Sequence, residues 1–329
     1  MRNLIRRSLL IALAAAAVQV ATPAAAQDYP SKQITIVLVL APGTGLDVVV
    51  RTYADKLAQS LGRPVVIDNR PGANGLLAIG ALKNLPADGH ALLVSTSAAM
   101  ALNPTTFKQL PYDPAKDFIP VSLYLKSPFV LIVHPSLPVR SVPELVKFVK
   151  ERPGKLSYGS TGPSGAPRLA TEIFMQNFGL DIIHVPYKNS PQAIMDIAAG
   201  YVQLGFAEAG ASQRLIQDKR LRALAVSSLT RFNSLPDVPT LAEAIARPGL
   251  EAVSWHVLVA PAATPRAIVN RLHGEMTRIM KMPDVRDRIA SLDLIPVEPQ
   301  SIEDTQRYLA SEIKKWGDLI RKLGLAGSQ

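Results

Sequence analysis

Residues 34–68 read ITIVLVLAPGTGLDVVVRTYADKLAQSLGRPVVID, and the changes of pattern within them decide the fold. Residues 34–40 are apolar at nearly every position, as a strand covered on both faces should be. Gly43 and Gly45 then break the run. From Asp47 onward Val48, Tyr53, Leu57 and Leu61 recur at helical spacing until Gly62 stops them, and residues 65–67 return to β-branched type. The same succession comes back at residues 156–185, LSYGSTGPSGAPRLATEIFMQNFGLDIIHV. There a strand at 156–159 enters a turn with Gly162 and Gly165, then a helix at 167–178, then Gly179 and a strand at 182–185. From Gly43 to Gly62 is 19 residues, and from Gly162 to Gly179 is 17. Two strand–Gly turn–helix–strand units predict two similar lobes. Each offers a helix N-terminus at the carboxyl end of a strand, which is where open parallel sheets bind ligands.

Outward from these units the chain keeps alternating. Strands are expected at 91–95, 130–133, 202–206 and 222–226, and helices at 76–83, 142–150, 191–199, 209–217, 265–280, 283–292 and 301–323. Such alternation predicts an α/β protein with largely parallel sheets.

The first 26 residues speak to compartment. Arg2, Arg6 and Arg7 form a basic segment, residues 9–20 are apolar and alanine-rich, and Ala24, Ala25 and Ala26 supply small residues for cleavage before Gln27. This is the plan of a secretory signal peptide. The apolar stretch is shorter than the ~20 residues that span a bilayer, and no later segment is long and apolar enough to do so. Cleavage leaves 303 of 329 residues, and loss of the three arginines lowers the formal charge from +10 to +7. The chain has no cysteine, which removes disulfides, thiolate nucleophiles, Cys-based metal sites and a lipidated N-terminus. A basic exported protein suits an anionic ligand. Nucleic acid is a poor fit, because the basic residues form no run and aromatics make up only 5%.

The two glycine turns are the candidate chemistry. Glycine lets the backbone approach a ligand closely, and the amides opening the next helix lack partners and carry the positive end of the dipole. APGTGLD (residues 41–47) contributes Gly43, Thr44, Gly45 and Asp47, the last expected chiefly as a first-turn partner of the dipole. GSTGPSGAPRL (residues 159–169) contributes Ser160, Thr161, Gly162, Ser164, Gly165, Ala166 and Arg168. Hydroxyls of Thr44, Ser160, Thr161 and Ser164 can join the amides around a carboxylate. Arg168 stands near a helix start, where a cation opposes the dipole. It reads either as a bidentate grip on a carboxylate or as a solvated surface residue. Thr96, Tyr187 and Glu208, at the ends of other strands, complete the candidate set.

Enzymatic readings fare worse. A dinucleotide site could use Gly43 and Gly45, but Val48 takes the third glycine position and Asp47 sets negative charge where a pyrophosphate would lie. His90, His134, His184, His256 and His273 are scattered, with none four residues from another, and no Gly-x-Ser-x-Gly elbow occurs. Lys188 has nothing beside it in sequence to activate it. No cofactor or metal is expected. An exported sensory or chaperone-like module remains the alternative to a receptor.

The motifs, taken in order, resemble the substrate-binding receptors of tripartite tricarboxylate transporters, the Bug receptors. The likeness is carried by APGTGLD with Arg51, by Leu61-Gly62-Arg63-Pro64 leading to Asn69-Arg70-Pro71-Gly72, and by Pro86-Ala87-Asp88-Gly89. It continues through Leu110-Pro111-Tyr112-Asp113-Pro114, His184-Val185-Pro186-Tyr187-Lys188, Leu235-Pro236-Asp237-Val238-Pro239-Thr240, Ser254-Trp255 and Ala260-Pro261. The resemblance covers nearly all of the mature chain. It implies a two-lobed periplasmic binding protein of the Venus-flytrap type with two crossing hinge strands, here near 129–134 and 255–260. Lobe one would be 27–125 plus 255–329, and lobe two 126–254. It further implies a monomer that captures a small carboxylate through backbone amides and water and delivers it to membrane subunits of a transporter. Departures from the family pattern are Leu40 in place of a usual Phe, Thr44 in place of a glycine, Arg168 where histidine is common, and Glu208 at or beside a usual Asp.

Overall fold

The structure is a computed structural model that describes residues 29–161, 165–248 and 250–329. The expected signal peptide and the residues Gly162, Pro163 and Ser164 lie outside the described part.

The chain opens with β1 (Ile34–Leu38), α1 (Gly45–Leu61), β2 (Val65–Asn69), α2 (Leu76–Lys83), β3 (Ala91–Thr96) and the long β4 (Phe118–Ser127). It then crosses at Pro128 into a second sheet. That part comprises β5 (Phe129–Val133), α3 (Val142–Lys150), β6 (Ser157–Thr161), α4 (Ala166–Phe178), β7 (Ile183–Tyr187), α5 (Ser190–Ala199), β8 (Leu204–Glu208), α6 (Ala209–Gln217) and β9 (Arg222–Val226). A second crossing returns it through β10 (Ser254–Pro261), followed by α7 (Arg266–Met280), α8 (Pro283–Ala290), β11 (Ile295–Pro296) and α9 (Ile302–Lys322).

The first sheet has the order β11-β4-β10-β3-β1-β2 and the second β7-β6-β8-β5-β9. Parallel pairing holds within the repeated units, β1 with β2 and β3, and β6 with β7 and β8. Elsewhere the expectation of largely parallel sheets gives way to mixed ones. β10 runs antiparallel between β3 and β4, and β5 antiparallel between β8 and β9. The reason is connectivity: the strand that follows each crossing, β5 or β10, runs against both of its neighbours.

Alternation along the strands splits the core into layers. Ile34, Ile36 and Leu38 face Val49, Tyr53 and Leu57 of α1 and Leu272 and Met276 of α7. Val37 faces the opposite layer with Ile79 and Leu82 of α2 and Trp316 and Ile320 of α9. In the second sheet Phe129, Leu131 and Val133 share a layer with Phe174 of α4, while Val130 and Ile132 join Ile194 and Ile197 of α5. α9 is pinned by a buried carboxylate: Glu312 accepts the indole N–H of Trp255 at 2.9 Å and of Trp316 at 2.7 Å.

The twin units are real as local structure. α1 and α4 both end in a left-handed glycine, Gly62 at φ 67° and Gly179 at φ 62°, each of which releases the chain into the next parallel strand.

Candidate functional site

A cavity of about 500 Å³ opens between the two sheets. Three helix starts line it: Gly43, Thr44, Gly45 and Leu46 at α1, Asn189, Ser190 and Pro191 at α5, and Glu208, Ala209, Gly210 and Ala211 at α6. Leu40, Leu292 and Leu294 supply apolar wall, Pro128 sits at the crossing, and Asp293 completes the rim. Among the described residues no Lys, Arg or His lines the cavity. Positive character comes instead from backbone amides and helix dipoles, the usual means of holding an anion without a cation.

The α1 turn is organised by Asp47. Thr44 caps the helix by accepting the Asp47 N–H at 3.2 Å. The Asp47 carboxylate is almost fully buried, 3% exposed, and receives the Gly43 N–H at 2.9 Å, the Asn69 amide at 2.9 Å and the Arg51 guanidinium at 3.0 and 3.2 Å. Burial works to raise its pKa, and the hydrogen bonds from Arg51, Asn69 and Gly43 outweigh that and hold it below the ordinary carboxylate value. Asp47 thus fixes the loop and is not itself among the lining residues. Gly43 sits at φ 79°, a backbone conformation that ordinary side chains resist.

Hydroxyl roles differ from expectation. Thr44 lines the cavity, yet its hydroxyl donates to Ala41 O at 3.1 Å and accepts from Asp47, so it is engaged in holding the turn. Ser160 is buried and shares a hydrogen bond of 2.8 Å with His184 Nε2. Thr96, at the end of β3, pairs with His256 across the ladder and does not line the cavity. Tyr187 also stays out, its hydroxyl bonded to Asp196. Gly165 caps α4 and Ala166 begins it; both lie beside the second turn rather than in the cavity wall. Gly162 and Ser164 fall outside the described residues, as does the side chain of Thr161.

Arg168 is neither solvated nor a cavity residue. Only 12% exposed, it pairs with Glu172 at 3.5 Å, one helical turn on, and its charge acts on Tyr158 and His184. The pair with Glu172 answers the unfavourable dipole locally. Glu208 does line the cavity, where its carboxylate accepts the Ser190 hydroxyl.

Several lining residues carry weak sequence signals or none. Asn189 before Ser190 and Pro191 is a helix-start signature that could have pointed to α5. Leu292, Asp293 and Leu294 follow an ordinary amphipathic helix, and only the tertiary fold brings them to the cavity.

Ser160 beside His184 has the outline of a nucleophile and base. Such a base also needs a carboxylate that stabilises the imidazolium, and among the described residues the charge that acts on His184 is that of Arg168. Burial and then the Arg168 charge hold the His184 pKa down at about 4, the wrong direction for a base that must take a proton near neutrality.

Two α/β bodies, linked by two chain crossings and enclosing a cavity at their strand ends, define a solute-binding receptor of the periplasmic binding protein class. The sequence profile of the tripartite tricarboxylate transporter family receptor (TctC) matches residues 49–325, and the chain belongs to that family. BugT of Bordetella pertussis is 32% identical over 323 residues, covering 98% of each chain. Among solved structures, R. palustris Rpa4515 with adipate superposes with a TM-score of 0.82 at 34% identity, over 91% of this chain and 99% of that one. MatC from Rhodopseudomonas palustris with bound malate gives 0.77 at 26% identity, over 89% and 100%.

Proposed function

We propose that this protein is an exported receptor that captures a small carboxylate, by preference a dicarboxylate, between its two sheets and hands it to the membrane subunits of a tripartite tricarboxylate-type transporter, without chemical conversion. The observation that carries the reading is the convergence of the α1, α5 and α6 starts on one cavity with leucine walls. Amides at the ends suit carboxylate oxygens, and apolar sides suit a short methylene chain. The adipate and malate of the two related structures support the class of ligand. They also take over the argument for a dicarboxylate, because Arg168 is turned to Glu172. The signal-peptide pattern of residues 1–26 supports export to the periplasm. For the lobe division, 27–125 with 255–329 against 126–254, the support is that β4 ends at Ser127 and β10 begins at Ser254. We take the receptor to act as a monomer. Against turnover stands the charge of Arg168, which together with burial disfavours a protonated His184.

The test is a thermal-shift panel of mono-, di- and tricarboxylates with recovery of the ligand. A ligand at 100 times its Kd adds about 2.7 kcal/mol, or a rise of several degrees. The expected result is a rise with at least one short dicarboxylate, which is then recovered chemically unchanged. No rise with any acid, or product accumulating in proportion to protein, would overturn the proposal.

A further inference from the structure

Among the described residues the cavity lining holds two carboxylates and no cation, an odd lining for a site that takes acids. Asp293 is spoken for: it accepts both the hydroxyl and the backbone N–H of Ser234, which belongs to the connection between β9 and β10. Glu208 is different. It stands at the N-cap position of α6 but does not cap the helix, and no side-chain hydrogen bond to the first turn forms. Among the described residues its side chain accepts the Ser190 hydroxyl at Oε2, and the residue lines the cavity. A carboxylate in that place repels a bare carboxylate that would otherwise settle on the α6 amides, and it offers a strong acceptor to any donor brought alongside.

We propose that Glu208 is the specificity-determining residue of the site and that it selects acids carrying a hydrogen-bond donor, a hydroxyl or an ammonium group, over the unsubstituted acid of the same length. This rests on the receptor reading and narrows its ligand class to hydroxy- and amino-substituted dicarboxylates. One carboxylate occupies the α1 turn, where Gly43, Gly45 and Leu46 meet the cavity. The donor faces Glu208. Ser190 keeps the Glu208 side chain in place, and it too lies on the cavity surface.

Matched series test the assignment, because their members differ by a single substituent. Titration calorimetry compares succinate, malate and aspartate, then glutarate, 2-hydroxyglutarate and glutamate, then adipate and 2-aminoadipate. In the wild type the substituted member of at least one series should bind about tenfold or more tightly than its parent, the scale of a hydrogen bond to a charged group. Glu208→Gln keeps the size and an acceptor for Ser190 but removes the charge. It should tighten the unsubstituted acids, weaken the amino acids most, and bring each ratio close to one. Parents that bind as tightly as their substituted partners in the wild type overturn the assignment while leaving the receptor intact. Ratios unchanged in Glu208→Gln do the same. Failure of every acid in every series removes the receptor reading and this one with it.

Discussion

Asp47 illustrates how one side chain can set a binding surface without lining it. Its carboxylate collects the Gly43 N–H, the Asn69 amide and the Arg51 guanidinium, so the backbone of the first turn is held in one conformation beside the cavity. Asp47→Ala removes the acceptor that the Gly43 N–H, the Asn69 amide and the Arg51 guanidinium share in a part-buried place, and leaves Asn69 only its bond to Leu40 O. The expected loss is about 1–3 kcal/mol of stability, seen as a lower urea midpoint, with weaker carboxylate binding alongside. Wild-type values for both in the variant would show that the turn holds itself. At this scale the sequence is only partly legible. The glycines and Thr44 are found from turn chemistry, and Asp47 is anticipated as a partner of the helix start. Arg168 reads as a bare cation at a helix start because Glu172 becomes its partner only when the turn of helix forms. Asp293 carries no local signal, since it is contact with Ser234 and the cavity that makes it part of the site.

The elements were far more legible. The expected limits of α2, α3 and α6 match the observed ones; α3 and α6 have a clear apolar face, whereas α2 is apolar nearly all round and ends at Lys83. β4 is the instructive failure. Its sequence FIPVSLYLKS contains Pro120, which argues against an inner strand because it cannot donate to a ladder. The structure accommodates it opposite Val259, at a register shift in the β4–β10 pairing. The two terminal glycines give a clean prediction. A Cβ at Gly62 or Gly179 meets nothing within 4 Å, so the cost of Gly62→Ala or Gly179→Ala is backbone strain alone. Each should lose about 1–2 kcal/mol, and the double variant should lose the sum, since the sites sit on different sheets and share no partner. A calorimetric series with no loss at either position would contradict the left-handed caps.

For the whole molecule, a half-buried imidazole, His184, and a buried one, His256, predict a pH dependence. Burial, with the Arg168 charge added, holds His184 at about 4, and burial alone holds His256 at about 3, both below the ordinary 6.5. The folded state therefore refuses protons that the unfolded chain accepts. Stability should be level above pH 6.5 and fall as the pH drops from there toward 4 and 3. Urea midpoints at pH 7.5 and 5 read this directly; equal midpoints would count against histidines held neutral. Arg168→Gln should lessen the fall, because it removes one of the two causes at His184. The central claim is that a small carboxylate binds between the two sheets, seated on the first-turn amides of α1 and facing the start of α6. Backbone amide resonances, followed by NMR during titration with a dicarboxylate that stabilises the protein, test it most directly. The largest shifts should fall on Gly43, Gly45 and Leu46 and on Ala209, Gly210 and Ala211. Residues Val146, Lys147 and Ala244, which line a groove of about 510 Å³ elsewhere on the second sheet's helices, should stay still. Saturable shifts at that groove, with the two helix starts unmoved, would contradict the account.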